Sequence, residues 1–375
     1  MPGGSSDGVR KRPSAAAAAG PPRRVRKLTT QRSEGNALDC FCSESGEWLL
    51  TGGRATRSGT YSFDRKTRKL YDERKELLAD MVYQPIGKRV LLEGSKVVPE
   101  ILQSEIMKEI QNVENADAFF VLPSQLNGAE YVSYTAPCDL IGHYLWDNTA
   151  GPRGQLAIHP AIGQFLLDSA SQTERADGID VTRPLFEAMP GAARKGFFCE
   201  NGYLRVPRWP CEEDFRFAHK AMEVALPFLH TVAALDAVVA GLAPSLKDWA
   251  RAEHRVNMVY ASAVPVSAYN NPAAAAQTRD RQQTISSLLM RGAYFGALTL
   301  ALEKAKKTGS RARVFFMPLG GGVFNNEPKA IADAMQAALQ AANSGGEVEE
   351  YLDVRVLTWE GKPIEAKIFR ALFNA

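Results

Sequence analysis

The sequence predicts an α/β fold, a three-layer α/β/α sandwich around a mixed, mainly parallel sheet with helical insertions. Three observations carry this expectation. From Arg255 onward, short runs rich in β-branched and aromatic residues ("RVNMVYASAV", "ARVFFMPL", "YLDVRVLTW") have the length and composition of strands. The segments between them, "TISSLLMRGAYFGALTLALEKAKKTG" and "PKAIADAMQAALQAAN", place apolar residues at helical spacing. Each strand-type run ends in a polar or glycine-rich loop. Strands alternating with helices of this length form βαβ units, which give a parallel sheet covered on both faces.

The chain of 375 residues is long enough for a substantial core. Its net charge of +3 is unevenly placed. Residues 1–35 hold eight basic side chains against Asp7 and Glu34, a balance of +6, whereas the remainder has 37 basic against 40 acidic, a balance of −3. We therefore expect residues 1–35 to be a disordered basic tail. Its clusters "RKRP" and "RRVRK" read either as an import or organelle-targeting signal or as a solvated tail. Residues 36–375 then form one domain with an N-terminal extension and an insertion around 175–253. Its mildly acidic balance argues against a nucleic-acid binder. Five cysteines at irregular spacing (Cys40, Cys42, Cys138, Cys199, Cys211) fit neither a zinc site nor a disulfide scaffold, and point to a reducing compartment, cytoplasmic or nuclear. The five histidines show no metal spacing, and no cofactor or metal is expected.

Along the chain, "TRKLYDERKELLADMV" (67–82) reads as an exposed amphipathic helix, and "KVVPEILQSEIMKEIQN" as helical after Pro99. "DAFFVLP" (117–123) is a short strand, and "GQFLLDSAS" a short helix. The stretch 175–213, rich in Gly, Pro and aromatics, reads as irregular. Two helices are expected over 213–239 and 245–253. The apolar run 222–246 is interrupted by Glu223, Pro227, His230 and Asp236, so a buried helical pair is expected there and no membrane span.

In a parallel sheet, ligands bind outside the carboxyl ends of the strands. That rule brings three loops to one mouth, after Leu122, Ala263 and Leu319. In "MPLGGGVFNN", glycines either merely turn the chain or let Gly320, Gly321, Gly322, Val323 and Phe324 approach a diphosphate with their amides. The pattern is neither a Walker loop nor Gly-x-Gly-x-x-Gly. In "PSQLNGAEYVSYT", Gln125, Asn127 and Glu130 either surround an Asn-Gly turn or bond a base and ribose hydroxyls. In "WDNTAGPRGQLAI", Asp147, Asn148 and Thr149 before Gly151 either turn the chain or form a second lip that offers a carboxylate. Asp280 either favours the start of the long helix or serves as a catalytic carboxylate.

Taken together, "PSQLNGAEYVSYT", "WDNTAGPRGQLAI", "VNMVYASAVPVSAYN" and "RVFFMPLGGGVFNNEPKAIADAMQAAL" resemble a divergent branch of the macrodomain family. That branch includes bacterial effector hydrolases of ADP-ribosyl-arginine and their eukaryotic relatives. The resemblance spans about 117–359, with 175–253 loosely covered. It implies an ADP-ribose pocket, with Gly320, Gly321, Gly322, Val323, Phe324 and Asn325 at the diphosphate and Ala263 and Val264 opposite. Asn127 would then stand near the distal ribose, with Gln125, Thr149 and Gly151 close by, and Glu130, Asp147 and Asp280 would be the acids of hydrolysis. Poly(ADP-ribose) glycohydrolases carry a Glu-Glu pair after their triple glycine; here Asn325-Asn326-Glu327 follows instead, which speaks against action on polymer.

The activity so implied is removal of mono-ADP-ribose from modified protein, with arginine the suggested linkage, by carboxylate-assisted attack of water at the distal ribose. The alternatives are a reader that binds ADP-ribose without cleaving it, and a nucleotide-sugar or NAD-dependent transferase. The expected partners are ADP-ribose and ADP-ribosylated proteins, with no membrane, and a monomer is expected.

Overall fold

The computed structural model describes residues 61–64, 69–72, 75–82, 94–130, 144, 147–170, 181–200, 202–226, 233–242, 249–266 and 276–375. The basic tail and most of the loop preceding Asp280, with the expectations for them, lie outside the described residues. The chain begins with strands β1 (Tyr61–Asp64), β2 (Lys69–Asp72), β3 (Leu77–Val82) and β4 (Glu100–Gln103), then α1 (Ile106–Gln111), β5 (Phe119–Pro123), α2 (Ala150–Leu156) and α3 (Pro160–Ala170). Short elements follow: α4 (Arg183–Ala188), α5 (Gly191–Arg194) and the hairpin β6 (Phe198–Glu200) and β7 (Tyr203–Arg205). Next come α6 (Glu212–Ala225), β8 (Ala233–Leu242), β9 (Trp249–Ala261), α7 (Ala276–Thr308) and β10 (Ala312–Phe316). The chain ends with α8 (Pro328–Ala342), α9 (Glu347–Tyr351), β11 (Leu352–Thr358) and α10 (Pro363–Asn374).

One sheet runs β1-β2-β3-β8-β9-β5-β10-β11-β4. Its centre, from β9 to β4, is parallel at every pairing. The strands from β1 to β8 extend it in antiparallel fashion, with β8 pairing antiparallel to β9. This is the α/β fold expected, a parallel core with helices on both faces. Strand alternation divides the core in two. Phe120, Leu122, Met258, Tyr260 and Phe315 face a layer that includes α1 to α4 and α6. Phe119, Val121, Val259, Val314 and Phe316 face α8, α10 and the later turns of α7. Among the described residues one helix, Arg279–Thr308, is long and apolar enough to cross a membrane; 83% of its most apolar window is buried inside the protein, as befits a core helix.

Two contacts anchor the centre. Phe120 and Phe315, both fully buried on adjacent strands, stack with ring centroids 4.6 Å apart and planes within 5°. Tyr294 of α7 donates from its hydroxyl to the Met317 carbonyl (2.6 Å) and accepts from the Leu319 amide (3.0 Å), fixing the chain as it leaves β10. Burial pushes the Tyr294 hydroxyl pKa up, so it stays a donor.

Several local expectations are corrected. The helix expected over 67–82 is not formed by its described residues, which hold β2 and β3, with Leu70 and Leu78 buried. The two helices expected over 213–239 and 245–253 reduce to one, α6, after which the chain returns to the sheet as β8 and β9. In each case pairing with neighbouring strands overrides helix-compatible composition: Asp80 lies opposite Asp236, and Asp236 opposite Asn257. The residues after Pro99 first form β4, parallel to β11, and turn helical only at Ile106. The stretch 175–213 is less irregular than expected, holding α4, α5 and the β6–β7 hairpin.

Phe315→Ala removes the stacked ring and leaves a cavity on the sheet face beside Phe120. We expect a loss of about 3–5 kcal/mol of stability, measured by urea denaturation.

Candidate functional site

Because β9, β5, β10, β11 and β4 run parallel, their carboxyl ends share one edge of the sheet, and each sends residues into one cavity of about 390 Å³. Ser262 and Ala263 follow β9, Ser124 and Glu130 follow β5, and the glycine loop follows β10. Trp359, Lys362 and Glu365 follow β11; Ser104 and Glu105 follow β4.

The glycine loop is held by its own polar groups. Gly320 has φ +69°, and a β-carbon there would lie 2.4 Å from Asn326 Nδ2 and 2.6 Å from Ala263 Cβ. No other residue fits. The Asn326 amide donates to the Gly320 carbonyl (3.0 Å), closing the loop, and the Val266 amide donates to the Phe324 carbonyl (2.9 Å). Among the described residues the amides of Gly322 and Phe324 donate to no protein group, and Gly321, Gly322 and Val323 are exposed at the cavity. Amides left without a protein acceptor on a glycine-rich turn at a cavity can seat an anion.

Across the cavity stands Glu130. Its amide donates to the Tyr144 hydroxyl (2.7 Å). Its carboxyl lies against the first turn of α2: a β-carbon at Gly151 would come within 2.2 Å of Glu130 Oε1 and 2.4 Å of the Pro123 carbonyl oxygen. Burial, and secondarily the negative charge of Asp147, push the Glu130 pKa well above the usual carboxylate range. Asp147 Oδ1 in turn accepts from the amide (2.8 Å) and hydroxyl (2.7 Å) of Thr149, shaping the turn into α2. A carboxyl with a raised pKa in a cleft suits proton transfer near neutral pH. Among the described residues no three His, Cys, Asp or Glu side chains group to hold a metal ion.

Of the residues singled out from the sequence, Glu130, Thr149, Gly151, Ala263, Gly320, Gly321, Gly322, Val323 and Phe324 line this cavity. Asp147 stands behind Glu130 and acts on it through charge. Gln125 and Asn127 do not line it. They are buried under the β6–β7 hairpin, where Gln125 Nε2 donates to the Tyr203 hydroxyl (2.9 Å) and Gly202 packs so closely that its β-carbon would meet Asn127 Oδ1 at 2.6 Å. Val264 is also buried, its carbonyl accepting from Asn326 Nδ2 (3.0 Å), and Asn325, at φ +56°, lies outside the lining. Asp280 is inside α7 rather than ahead of it. It is exposed and absent from the cavity wall, because the helix starts earlier, at Ala276.

The structure adds a second flank. Arg153 Nε lies 2.7 Å from Glu105 Oε1, and the buried Ser104 hydroxyl has no partner among the described residues. Trp359 is 48% exposed at the rim. Glu365 has its pKa raised by burial, with Lys362 acting in the opposite sense. Trp359 was within reach of the strand-end rule, since "YLDVRVLTW" ends on it. Ser104 and Glu105 were concealed by the helical reading of β4. Tyr203 gave no local signal, although its ring also packs on Phe324 (centroids 5.8 Å apart).

No protein-family model matches the chain, and no curated protein matches it significantly. Among solved structures, it is similar to the poly(ADP-ribose) glycohydrolase from Thermomonospora curvata bound to the inhibitor ADP-HPD, at 15% identity and a TM-score of 0.42, covering 90% of this chain and 97% of that one. It is similar also to the poly(ADP-ribose) glycohydrolase from Deinococcus radiodurans in complex with ADP-ribose, at 13% identity and a TM-score of 0.37, covering 76% and 86%. At these values the likeness is distant, and none of the site geometry depends on it.

The raised Glu130 pKa makes a signed prediction. Ionising this carboxyl is harder in the folded chain than in the unfolded one, so stability falls as pH rises from about 4.3 through the folded pKa. Glu130→Gln removes that penalty. Its melting temperature should match wild type at pH 4 and exceed it increasingly toward pH 8, read by calorimetry.

Proposed function

We propose that the chain is a macrodomain-like ADP-ribosyl hydrolase that removes mono-ADP-ribose from modified protein, with arginine as the linked residue. One observation carries the reading: a glycine loop with two amides that no described protein group accepts from, and a high-pKa carboxyl, follow adjacent parallel strands, β10 and β5, and line one cavity. In this reading the ligand lies along the strand ends. The diphosphate sits on Gly320 to Phe324 at the middle of the edge. The distal ribose lies toward Glu130, over β5. The base lies toward Trp359, over β11, where an exposed indole offers a stacking face.

In the reaction, the oxygen of a water molecule bonds to the anomeric carbon of the distal ribose as the carbon–nitrogen bond breaks. Ionised Glu130 takes a proton from that water, and its raised pKa makes it a better base than an exposed carboxylate. The bonding pair leaves with the guanidine nitrogen, which receives the proton in turn. Asp147 supports Glu130 basicity and adds negative charge near the developing oxocarbenium. The combined charge also favours a cationic guanidinium-linked substrate.

The test is to incubate the protein separately with substrates ADP-ribosylated on Arg, Ser and Glu and with polymer, and to measure free ADP-ribose. Release from the arginine conjugate is expected. Tight binding without release from any of them would leave a reader. Glu130→Ala should lower turnover by about 10²–10⁴-fold while ADP-ribose still binds. For the diphosphate seat, Gly322 is the informative position: a β-carbon there meets nothing within 4 Å. Gly322→Glu should therefore keep the wild-type melting temperature but weaken ADP-ribose binding at least tenfold by calorimetry, through charge alone.

A further inference from the structure

We propose that Gln283, on α7, is a positioning residue whose side-chain amide clasps the glycine loop in the form that receives a diphosphate; the ligand part of this rests on the function proposed above. Gln283 Oε1 accepts from the Glu327 amide (3.1 Å), and its Nε2 donates to Asn326 Oδ1 (3.0 Å). Asn326 Nδ2 donates onward to the Val264 carbonyl (3.0 Å) and, at 3.4 Å, to the Gly320 carbonyl.

The direction of this relay is set by chemistry. A backbone amide only donates, so Gln283 must turn its oxygen to Glu327; backbone carbonyls only accept, so Asn326 must turn its nitrogen to Val264 and Gly320. The two free ends then meet as donor and acceptor. One helix turn further on, Ser286 Oγ accepts from the Val264 amide (2.9 Å). The clasp thus joins both ends of the β10 loop to the loop after β9, the two sides between which the diphosphate is placed.

The clasp also explains Gly320. A side chain there would strike Asn326 Nδ2, a member of the relay, before it reached any ligand. Asn326 is only 4% exposed, so losing Gln283 leaves its Oδ1 buried without a donor. The loop must then rearrange, while Gly321, Gly322 and Glu130 keep their identities. Gln283 does not line the cavity, which makes its action indirect.

Two variants of the full-length chain test this. Gln283→Ala removes both bonds. Gln283→Glu keeps the size and the bond from Glu327, but sets a carboxylate oxygen against Asn326 Oδ1. We expect Gln283→Ala to weaken ADP-ribose binding and raise KM about tenfold with kcat changed less than about threefold, and Gln283→Glu to be at least as impaired. Hydrogen exchange at 320–327, measured without ligand, should speed up in both. A space-filling role alone would leave Gln283→Glu near wild type, and that result overturns the proposal. Exchange unchanged in both variants overturns the clasp by itself. Wild-type protein that takes up no ADP-ribose overturns the diphosphate role together with the hydrolase reading.

Discussion

The parallel register of five central strands is the constraint on which the rest of this structure depends. Parallel pairing sends every strand end to the same edge, so the loops after β9, β5, β10, β11 and β4 meet even though they are far apart in sequence. Parallel strands also require crossovers, and the crossover helices supply the layers that bury both sheet faces. Stacked Phe120 and Phe315 hold two of these strands together, and Tyr294 fixes the first residues beyond β10. The cavity is therefore a by-product of sheet direction, and its chemistry is whatever residues stand at the ends.

At that edge, close approach substitutes for bulk. Gly320 is small because Asn326 and Ala263 occupy the space a side chain would need, and Gly151 because the Glu130 carboxyl does. Two of the glycines that looked like ligand contacts thus serve the protein's own packing, whereas Gly322 faces open space. The same crowding buries much of the Glu130 carboxyl and, with Asp147 nearby, raises its pKa. Packing and acid–base chemistry have one cause here.

The segment between α3 and β8 belongs to the site's support. Its hairpin covers Gln125 and Asn127, and Tyr203 bonds Gln125 while packing on Phe324, so it links the loop after β5 to the loop after β10. Arg281 of α7 pairs with Glu212 (3.1 Å) and lies 5.3 Å from the Phe215 ring centroid, tying the same segment to the long helix. Residues that line the cavity are in this way held by ones that do not.

By itself, the sequence determined the alternation of strands and helices after Arg255, the strand 117–123, and the three loops that end on one edge. Hydrophobic period and strand-end polarity are local properties, legible in "ARVFFMPLGGG" or "DAFFVLP" without any partner. Only the tertiary structure decided that 69–72, 77–82 and 233–242 are strands, because their composition suits a helix and strand pairing overrules it. It also decided which loop residues face the cavity. Gln125, Asn127 and Glu130 stand in one loop, yet a distant hairpin covers the first two and leaves the third at the pocket; Asp280 went to the outside of a helix whose start no local signal marked. Burial is set by what packs on a residue, and that information lies elsewhere in the chain.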